Sequence, residues 1–294
     1  MKIVRISDGL GNQMFQYAFA RKLRLISKEP VYLDNRFINN EDKFAVGEFQ
    51  NLKGKLGYRK YGLDCFKITL SVTDEQILWK WNYLKRDNVW NKLIYSLARV
   101  DFWIWRFWEE DTNVLKKRFD IQKLRGHVYY QGYFFDLKYF DEIKPILQKE
   151  FCLKEPIVLP RKLKDVLSYE NTVSIHVRRG DFLKLNRNIS QSDYYSKAIK
   201  RMEERIEKPT YIIFSDDIGW VKENLDIPGE KIFVSEMGFE DYQELIIMKH
   251  CKHNIIANST FSYWAAYLNK NEQKIVICPK GWKTKIIPDE WIKI

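Results

Sequence analysis

The second half of the chain alternates short strand candidates with longer helical stretches, and this restricts the folds available to it. The strand candidates cover residues 172–177, 210–214 and 253–257. The stretches between them have helical spacing and cover residues 192–207, 217–225 and 240–250. This alternation predicts an α/β domain with a doubly wound, parallel, Rossmann-like sheet.

The first half opens with a related unit. Residues 2–6 alternate charged and apolar side chains as a short strand does, and a glycine-containing turn at 8–11 leads into a helix predicted over 12–26. Further strands are predicted at 31–34 and 128–133, and a helix follows the second of them. Strand, glycine turn and helix in this order indicate that the first half is also α/β.

The length of the chain predicts two lobes, because 294 residues exceed the usual domain length of about 100–200 residues. Pro156 and Pro160 bracket a polar-flanked segment of the kind that separates domains. We therefore predict an N-terminal α/β lobe over 1–158 and a C-terminal lobe over 159–294.

The densest aromatic run, residues 102–108, falls in a segment from 74 to about 118 whose pattern predicts helix. One interpretation is a helix buried within the first lobe. The other is a patch that rests on a membrane interface, since aromatic side chains mixed with Arg and Lys suit that boundary.

The formal net charge of +11 is compatible with several kinds of anionic partner and does not select one. Nucleic acid, an anionic membrane surface and a phosphorylated substrate all attract a basic chain, and solvated surface lysines also account for it. A composition of 45% hydrophobic and 30% charged residues excludes a disordered chain. Lys and Arg are spread along the sequence without a nucleic-acid-binding motif, so we expect no nucleic-acid partner.

No apolar leader opens the sequence, and no window reaches the roughly 18 apolar residues of a membrane span, which predicts a cytoplasmic location. The four cysteines lie far apart, without the spacing of metal ligands. His250 and His253 flank Cys251, but no carboxylate accompanies them, so we predict no metal site.

Unusual polar residues follow all three strands predicted in the second half, at 176–181, 215–217 and 258–262. Ligands of open parallel sheets bind at the carboxyl ends of the strands. The three segments are therefore expected to converge on one crevice.

The residue types in these segments suit a nucleotide diphosphate. Arg178 and Arg179 offer guanidinium donors to phosphate oxygens, and Gly180 lets the backbone approach closely. Residues 258–260, Asn-Ser-Thr, precede an apolar helix and supply N–H groups where a phosphate could sit. An acidic residue after a strand, Asp216 or Asp217, suits a base edge or ribose hydroxyls.

Each of these patterns alone has a commoner structural explanation, as an ion pair or a helix cap; only the combination indicates a site. The chain also lacks the Asp-x-Asp triplet. A transferase without a metal must neutralise its leaving diphosphate with protein donors, and Arg178 and Arg179 fit that task.

Several long segments closely resemble the bacterial α-1,2-fucosyltransferases of glycosyltransferase family eleven. They are found from end to end of the chain, at residues 9–19, 130–134, 176–181, 214–217, 251–259 and 278–282. The resemblance implies a GT-B fold and inverting, metal-independent transfer of L-fucose from GDP-β-L-fucose to the 2-hydroxyl of a terminal galactoside in a surface glycan, such as an O-antigen, or an oligosaccharide. It implies that the C-terminal lobe binds the GDP-sugar and that the first lobe shapes the acceptor side.

The resemblance also implies roles for individual residues. Arg178 matches the arginine that contacts the β-phosphate, and Asp216 or Asp217 matches the base or ribose contact. Further positions near the diphosphate or facing the crevice are His176, Asn258, Ser259, Thr260, Phe261, Gly9, Gly11, Asn12 and Gln13.

The chain departs from the family pattern at a few positions. Asp8 stands where the N-terminal motif usually has its first glycine, and Phe182 stands where a tyrosine is usual. Tyr263 and Ala265 replace a tryptophan and a glycine. These changes bear on acceptor preference more than on the reaction.

For the mechanism, the sequence predicts that Arg178 stabilises the leaving diphosphate and that Arg179 assists it or holds Asp181. Asp181 is the first candidate for a general base and Asp8 the second.

Two alternatives remain open: a transferase of the same fold with another GDP-sugar or linkage, and a basic nucleic-acid-binding protein. We also expect peripheral contact with the anionic inner membrane surface.

Overall fold

The structure is a computed structural model that describes residues 1–39, 60–78, 81, 89–98, 105–109, 126–184, 189–190 and 192–294. The chain divides into two compact units, Met1–Cys152 and Leu153–Ile294, which we call the N-terminal and C-terminal units. The sequence places this boundary slightly later, between 158 and 159. Each unit is built on one parallel sheet.

The N-terminal unit has four described strands, β1 (Lys2–Arg5), β2 (Val31–Asp34), β3 (Trp105–Glu109) and β4 (His127–Gln131). They form one parallel sheet in the order β2-β1-β4-β3. Its described helices are α1 (Leu10–Ile26), α2 (Arg36–Asn39), α3 (Glu75–Leu78), α4 (Val89–Ala98) and α5 (Lys144–Glu150). The predicted opening unit of strand, glycine turn and helix is confirmed by β1 and α1.

The helix predicted over 74–118 is wrong over part of its length. Trp105–Glu109 form β3, which pairs in parallel with β4 from Trp105 opposite His127 to Glu109 opposite Gln131. Bulky aromatic residues suit a strand once a partner strand is available, and local helical spacing does not reveal that partner. Residues 99–104 and 110–118 lie outside the described residues, and so do the side chains of β3. The interpretation of the aromatic run as a helix is therefore wrong for residues 105–108. Whether the run is buried or rests on a membrane stays a prediction.

Aromatic side chains fill much of the N-terminal core. Phe19 of α1 stacks on Phe134 with ring centroids 3.8 Å apart, and Tyr130 of β4 packs edge-on against Phe19. The buried carboxylate of Glu150 accepts hydrogen bonds from the Tyr17 hydroxyl at 2.6 Å and from Arg21 Nε at 2.8 Å. These contacts connect α5 to α1 and hold α1 in place after β1.

The C-terminal unit has six strands, β5 (Thr172–Val177), β6 (Thr210–Ser215), β7 (Lys231–Phe233), β8 (His253–Ile255), β9 (Val276–Cys278) and β10 (Ile292–Lys293). All pairs are parallel, in the order β10-β9-β8-β5-β6-β7. Its described helices are α6 (Arg161–Val166), α7 (Gly180–Lys184), α8 (Tyr194–Glu203), α9 (Ile218–Asn224), α10 (Asp241–His250) and α11 (Thr260–Leu268). The predicted doubly wound parallel sheet is confirmed.

Strands β5 and β6 are buried along their whole length, and in β5 this includes the polar residues Thr172, Ser174 and His176. The neighbouring strand β8 carries a fully buried amide, Asn254. Its buried amide donates to Ser174 Oγ of β5 at 2.7 Å and to the Met248 carbonyl of α10 at 3.0 Å. The asparagine therefore fixes β8 beside β5.

Both sheets contain a point where the order of the strands reverses. In the C-terminal unit the chain runs outward from β5 through β6 to β7 and then returns to the other side of β5 with β8. In the N-terminal unit β2 lies on one side of β1 and β4 on the other. A crevice opens at such a switch point, outside the carboxyl ends of the two strands, and ligands of α/β proteins bind there.

Among the residues that the structure describes, no helix combines the length and the apolar character needed to cross a bilayer.

Candidate active site

The three polar segments predicted to converge do lie at one edge of the C-terminal sheet. Strand β5 is flanked directly by β6 and β8, with Val177 opposite Ser215 and Ile175 opposite Ile255. Because these strands are parallel and in register, the residues that follow them emerge at the same edge. That edge is the switch point between β5 and β8.

Arg178, the first residue after β5, presents a partly exposed guanidinium group at this edge. Its Nη1 lies 3.0 Å from Asp216 Oδ2, and the two side chains are 25% and 24% exposed. The Phe182 ring lies beneath the group, with its centroid 5.8 Å from Cζ. A cation that is held in place yet reaches solvent can meet an anionic ligand.

Arg179 points the other way and is buried. Its Nη1 donates to Ser190 Oγ at 2.6 Å, its Nε donates to Asp217 Oδ2 at 3.0 Å, and its Cζ lies 3.9 Å above the Trp220 ring. The two neighbouring arginines therefore differ. Arg179 supports the loops around the edge, and its predicted contact with substrate stays a prediction.

Asp216 joins the loop after β6 to the loop after β5. Its Oδ1 accepts the Arg179 backbone N–H at 2.8 Å, while its Oδ2 contacts Arg178. A Cβ on Gly180 would lie 2.7 Å from Asp216 Oδ2, closer than such atoms approach in proteins. Glycine at position 180 is therefore what allows the carboxylate to sit here.

Asp217 caps helix α9 as well as pairing with Arg179. Its Oδ1 accepts the Trp220 backbone N–H at 3.1 Å. The hydrogen bond from Arg179, followed by the one from Trp220, lowers the pKa of Asp217. This carboxylate is engaged by its own unit, so its predicted contact with a base or ribose stays a prediction.

His176, the penultimate residue of β5, is buried and uncharged at neutral pH. Burial, together with the nearby charge of Arg178, lowers its pKa from 6.5 to about 3. Its ring lies 5.6 Å from that of Phe261, which joins the end of β5 to the start of α11. Within the described part of the chain, His176 Nδ1 has no hydrogen-bond partner. The imidazole thus supplies a neutral hydrogen-bonding group behind Arg178.

Helix α11 begins at the same edge. Ser259 is its N-cap, and its Oγ accepts the Phe261 backbone N–H at 3.3 Å. Asn258 and Thr260, on either side of the cap, are half-buried. A helix N-terminus attracts anions through its N–H groups and its dipole. The predicted loop thus places such an end beside the loop that carries Arg178.

Sequence reasoning missed Glu244 of α10. Burial raises its pKa from 4.5 to about 7; the charges of Asp241 and Asp216 add to this, and a hydrogen bond with Ser235 opposes it. Ser235 Oγ in turn accepts the Ser215 backbone N–H at the end of β6. The sequence signal is a glutamate directly before the apolar residues 245–248 of this helix. Its nearness to Asp216 is a product of the fold.

The four predicted site residues of the first half lie in the N-terminal unit, at the start of α1. Gly9 is the N-cap, and Gly11 and Asn12 follow in the first turn. Gln13 is fully buried: its Nε2 donates to the carbonyls of Asp8 and Lys60, and its Oε1 accepts the Gly62 N–H. Its amide holds loops together, and its predicted role in substrate binding stays a prediction.

Asp181, predicted as a catalytic carboxylate, lies in α7, but its side chain lies outside the described residues. Over the described ranges, no three His, Cys, Asp or Glu residues are grouped as a metal site would require. That the reaction needs no metal stays a prediction.

The sequence matches Glycosyl transferase family 11 over residues 1–287. It is 30% identical to the O-antigen biosynthesis glycosyltransferase WbnK of Escherichia coli, over 98% of this chain and 99% of that protein. It is 27% identical to an alpha-1,2-colitosyltransferase of Escherichia coli, over 99% and 98% of the two chains.

Among solved structures, the fold is similar to that of a FUT1 variant from Arabidopsis thaliana in complex with GDP, with a TM-score of 0.50 and 12% identity, over 98% of this chain and 72% of that one. The predicted GT-B class is confirmed. The match to the family extends over nearly the whole chain and includes both switch points. This chain belongs to glycosyl transferase family 11 and is a glycosyltransferase.

Proposed function

We propose that this enzyme transfers L-fucose from GDP-β-L-fucose to the 2-hydroxyl of a terminal galactoside, with inversion and without a metal ion. The observation that carries the proposal is the partly exposed Arg178 guanidinium at the β5–β8 switch point, on the same edge as the N-terminus of α11. Guanidinium and helix N–H groups are complementary to a diphosphate.

The diphosphate of the donor binds between Arg178 and the loop at Ser259. Arg178 donates to the phosphate oxygens, and the backbone N–H groups at the start of α11 do the same from the other side. His176 is neutral, so its imidazole can hydrogen-bond to the diphosphate without adding a second positive charge next to Arg178. Phe261 and Thr260 complete this end of the site.

The nucleoside of the donor lies toward Asp216 and Glu244. Guanine presents an N1–H and an amino group on one edge, and ribose presents two hydroxyls, so both need acceptors. Ionised Glu244 is such an acceptor, and Asp216 is already positioned by Arg178 and by the Arg179 backbone. Because burial raises the pKa of Glu244 to about 7, only part of the population is ionised at neutral pH, and guanine binding favours the charged form.

In the transfer, the 2-hydroxyl oxygen of the acceptor attacks the anomeric carbon of fucose. The bond from that carbon to the β-phosphate oxygen breaks through an oxocarbenium-like state, and GDP leaves with the electron pair. Arg178 stabilises the negative charge that grows on the diphosphate. The hydroxyl proton passes to a carboxylate, for which Asp181 is the first candidate. An Asp181→Asn enzyme with unchanged kcat would remove it from this role.

Two relatives support the linkage and the setting. The colitosyltransferase is named for α-1,2 transfer, and WbnK is named for O-antigen biosynthesis. The former also favours a second candidate donor, GDP-colitose, because colitose is fucose without its 3-hydroxyl. A site that hydrogen-bonds this hydroxyl would prefer fucose strongly.

We further propose that the enzyme works at the cytoplasmic face of the inner membrane as a peripheral protein. Helix α4 exposes Val89 and Trp90 by 78% and 73%, and the basic chain favours an anionic surface. Equal co-sedimentation with neutral and anionic vesicles at low salt would contradict this.

The decisive experiment incubates the purified enzyme with EDTA, labelled GDP-fucose or GDP-colitose, and a panel of β-galactosides. The proposal expects product from GDP-fucose, with an α-1,2 linkage by NMR and no loss on chelation. A higher kcat/KM with GDP-colitose than with GDP-fucose would show that GDP-colitose is the donor. A product with another linkage would contradict the proposed α-1,2 regiochemistry, and a requirement for added Mg²⁺ would contradict the metal-free mechanism.

A further inference from the structure

The N-terminal unit has a switch point of its own, between β1 and β4, and a polar pair closes it. Asp8 follows β1 and Tyr133 follows β4, and the Tyr133 hydroxyl donates to Asp8 Oδ2 at 2.6 Å. Both residues are half-buried, so the pair reaches the surface of the unit. It occupies the place in its sheet that Arg178 and Ser259 occupy in the other.

Hydrogen bonds connect the two loops that carry this pair. Gln16 of α1 joins them, because its Oε1 accepts the Ser7 N–H at 2.8 Å and its Nε2 donates to the Gly132 carbonyl at 3.1 Å. Asp8 itself has φ of 63°, a left-handed conformation, and its carbonyl accepts Gln13 Nε2 at 2.7 Å. The carboxylate is thus held in one place before any ligand arrives.

A second feature lies beside the pair. The rings of Tyr133 and Phe135 are stacked in parallel, with centroids 5.2 Å apart and planes at 2°, and Phe15 supports Phe135 edge-on at 4.9 Å. Phe134, between them in sequence, turns into the core against Phe19. Residues 133 and 135 are only half-buried, so partly exposed aromatic surface adjoins the carboxylate.

We propose that Asp8, Tyr133 and Phe135 form a binding site for a neutral sugar ring and that this ring is the acceptor galactoside. Asp8 accepts hydrogen bonds from sugar hydroxyls, and the paired rings cover the apolar face formed by carbons 3 to 5 of galactose. Tyr133 is also a positioning residue for Asp8. This assignment rests on the proposed function for the identity of the ligand.

The chemistry of the site selects this class of ligand. A carboxylate repels phosphate and therefore disfavours the nucleotide, while sugar hydroxyls are strong donors to it. Arg5, at the end of β1, donates to Gln131 Oε1 at 2.5 Å within the unit. A sugar satisfies both parts of the site, the acceptor oxygen and the apolar surface.

The test compares Asp8→Asn and Phe135→Leu with wild type, using methyl β-galactoside as the acceptor and GDP-fucose as the donor. Asn tolerates the left-handed conformation, so the first change removes charge and leaves the backbone as it is. For each variant we expect the acceptor KM to rise roughly tenfold, with donor KM unchanged. Asp8→Asn weakens a charged hydrogen bond to the sugar, and Phe135→Leu removes the aromatic ring on which the sugar packs. Asp289→Asn, a fully exposed aspartate in the other unit, is the control and keeps wild-type values.

Saturation-transfer NMR of methyl β-galactoside with the wild type and Asp8→Asn, in the presence of saturating GDP, separates this proposal from the reaction. If the wild type binds the sugar and Asp8→Asn does not, the sugar-binding site is supported, even if no fucose is transferred. In that case only the proposed function is contradicted. An unchanged acceptor KM in both variants overturns the site. So does a loss confined to kcat in Asp8→Asn, since that would make Asp8 a proton acceptor instead.

Discussion

The two switch points of this enzyme share a topology and differ in chemistry. At the β5–β8 edge the groups are a guanidinium, a helix N-terminus and a neutral imidazole, all suited to an anion. At the β1–β4 edge they are a carboxylate, a tyrosine and a stacked ring, suited to an uncharged polyol. The parallel sheet thus provides a crevice in both units, and the residues after each strand decide what it binds.

The two edges are also held together differently. Around β5 the support is ionic, because Asp216 contacts Arg178 and Asp217 contacts Arg179. Around β1 it comes from uncharged amides, Gln13 and Gln16, and from the Tyr133 hydroxyl. The C-terminal edge therefore depends on charge, and changes there are expected to affect the donor, while changes at the N-terminal edge affect the acceptor.

The largest expected effect is that of Arg178→Ala. Losing the one partly exposed guanidinium described at the β5–β8 edge is expected to lower kcat/KM for GDP-fucose by about 10²–10³-fold, the usual cost of removing a transition-state donor. Steady-state kinetics with varied donor measure it. Arg161→Ala, whose side chain is 96% exposed, should behave as wild type. A rise in acceptor KM alone would contradict the assignment of the C-terminal edge to the donor and the N-terminal edge to the acceptor.

A smaller effect is expected from Gly180→Ala. The new Cβ would lie 2.7 Å from Asp216 Oδ2, so the carboxylate must move and its contact with Arg178 is disturbed. We expect GDP affinity to fall roughly tenfold by calorimetry, equal to about 1.4 kcal/mol. The matched control is Gly219→Ala, where a Cβ meets nothing within 4 Å. Equal affinities for the two variants would show that Asp216 does not organise the donor site.

The smallest effect concerns stability. Because the folded-state pKa of Glu244 is about 7 against 4.5, ionising it costs the folded state free energy as pH rises through that window. Glu244→Gln should therefore raise the free energy of unfolding, and with it Tm, at pH 8 and change both little at pH 5. The exposed Glu223→Gln is the control. A stabilisation that is the same at both pH values would rule out burial of the charge as its cause.

Much of the fold follows from local pattern. The segments at 172–177 and 210–214 are rich in β-branched and aromatic residues, and they form β5 and β6 almost as predicted. The residues of β3 have helical spacing instead, because the pairing of β3 with β4 is not encoded in its own residues. The contrast is between strands whose own residue types identify them and one whose identity depends on a distant partner.

The site divides in the same way. The sequence alone determined which residues follow the strands, and the periodicity of buried strands made their shared edge predictable. Only the tertiary structure decided that Arg178 is partly exposed while Arg179 packs on Trp220, that the charge of Asp216 acts on Glu244, and that Tyr133 contacts Asp8. Side-chain direction, burial and pKa depend on neighbours far away in sequence, whereas strand and helix patterns depend on residues a few positions apart.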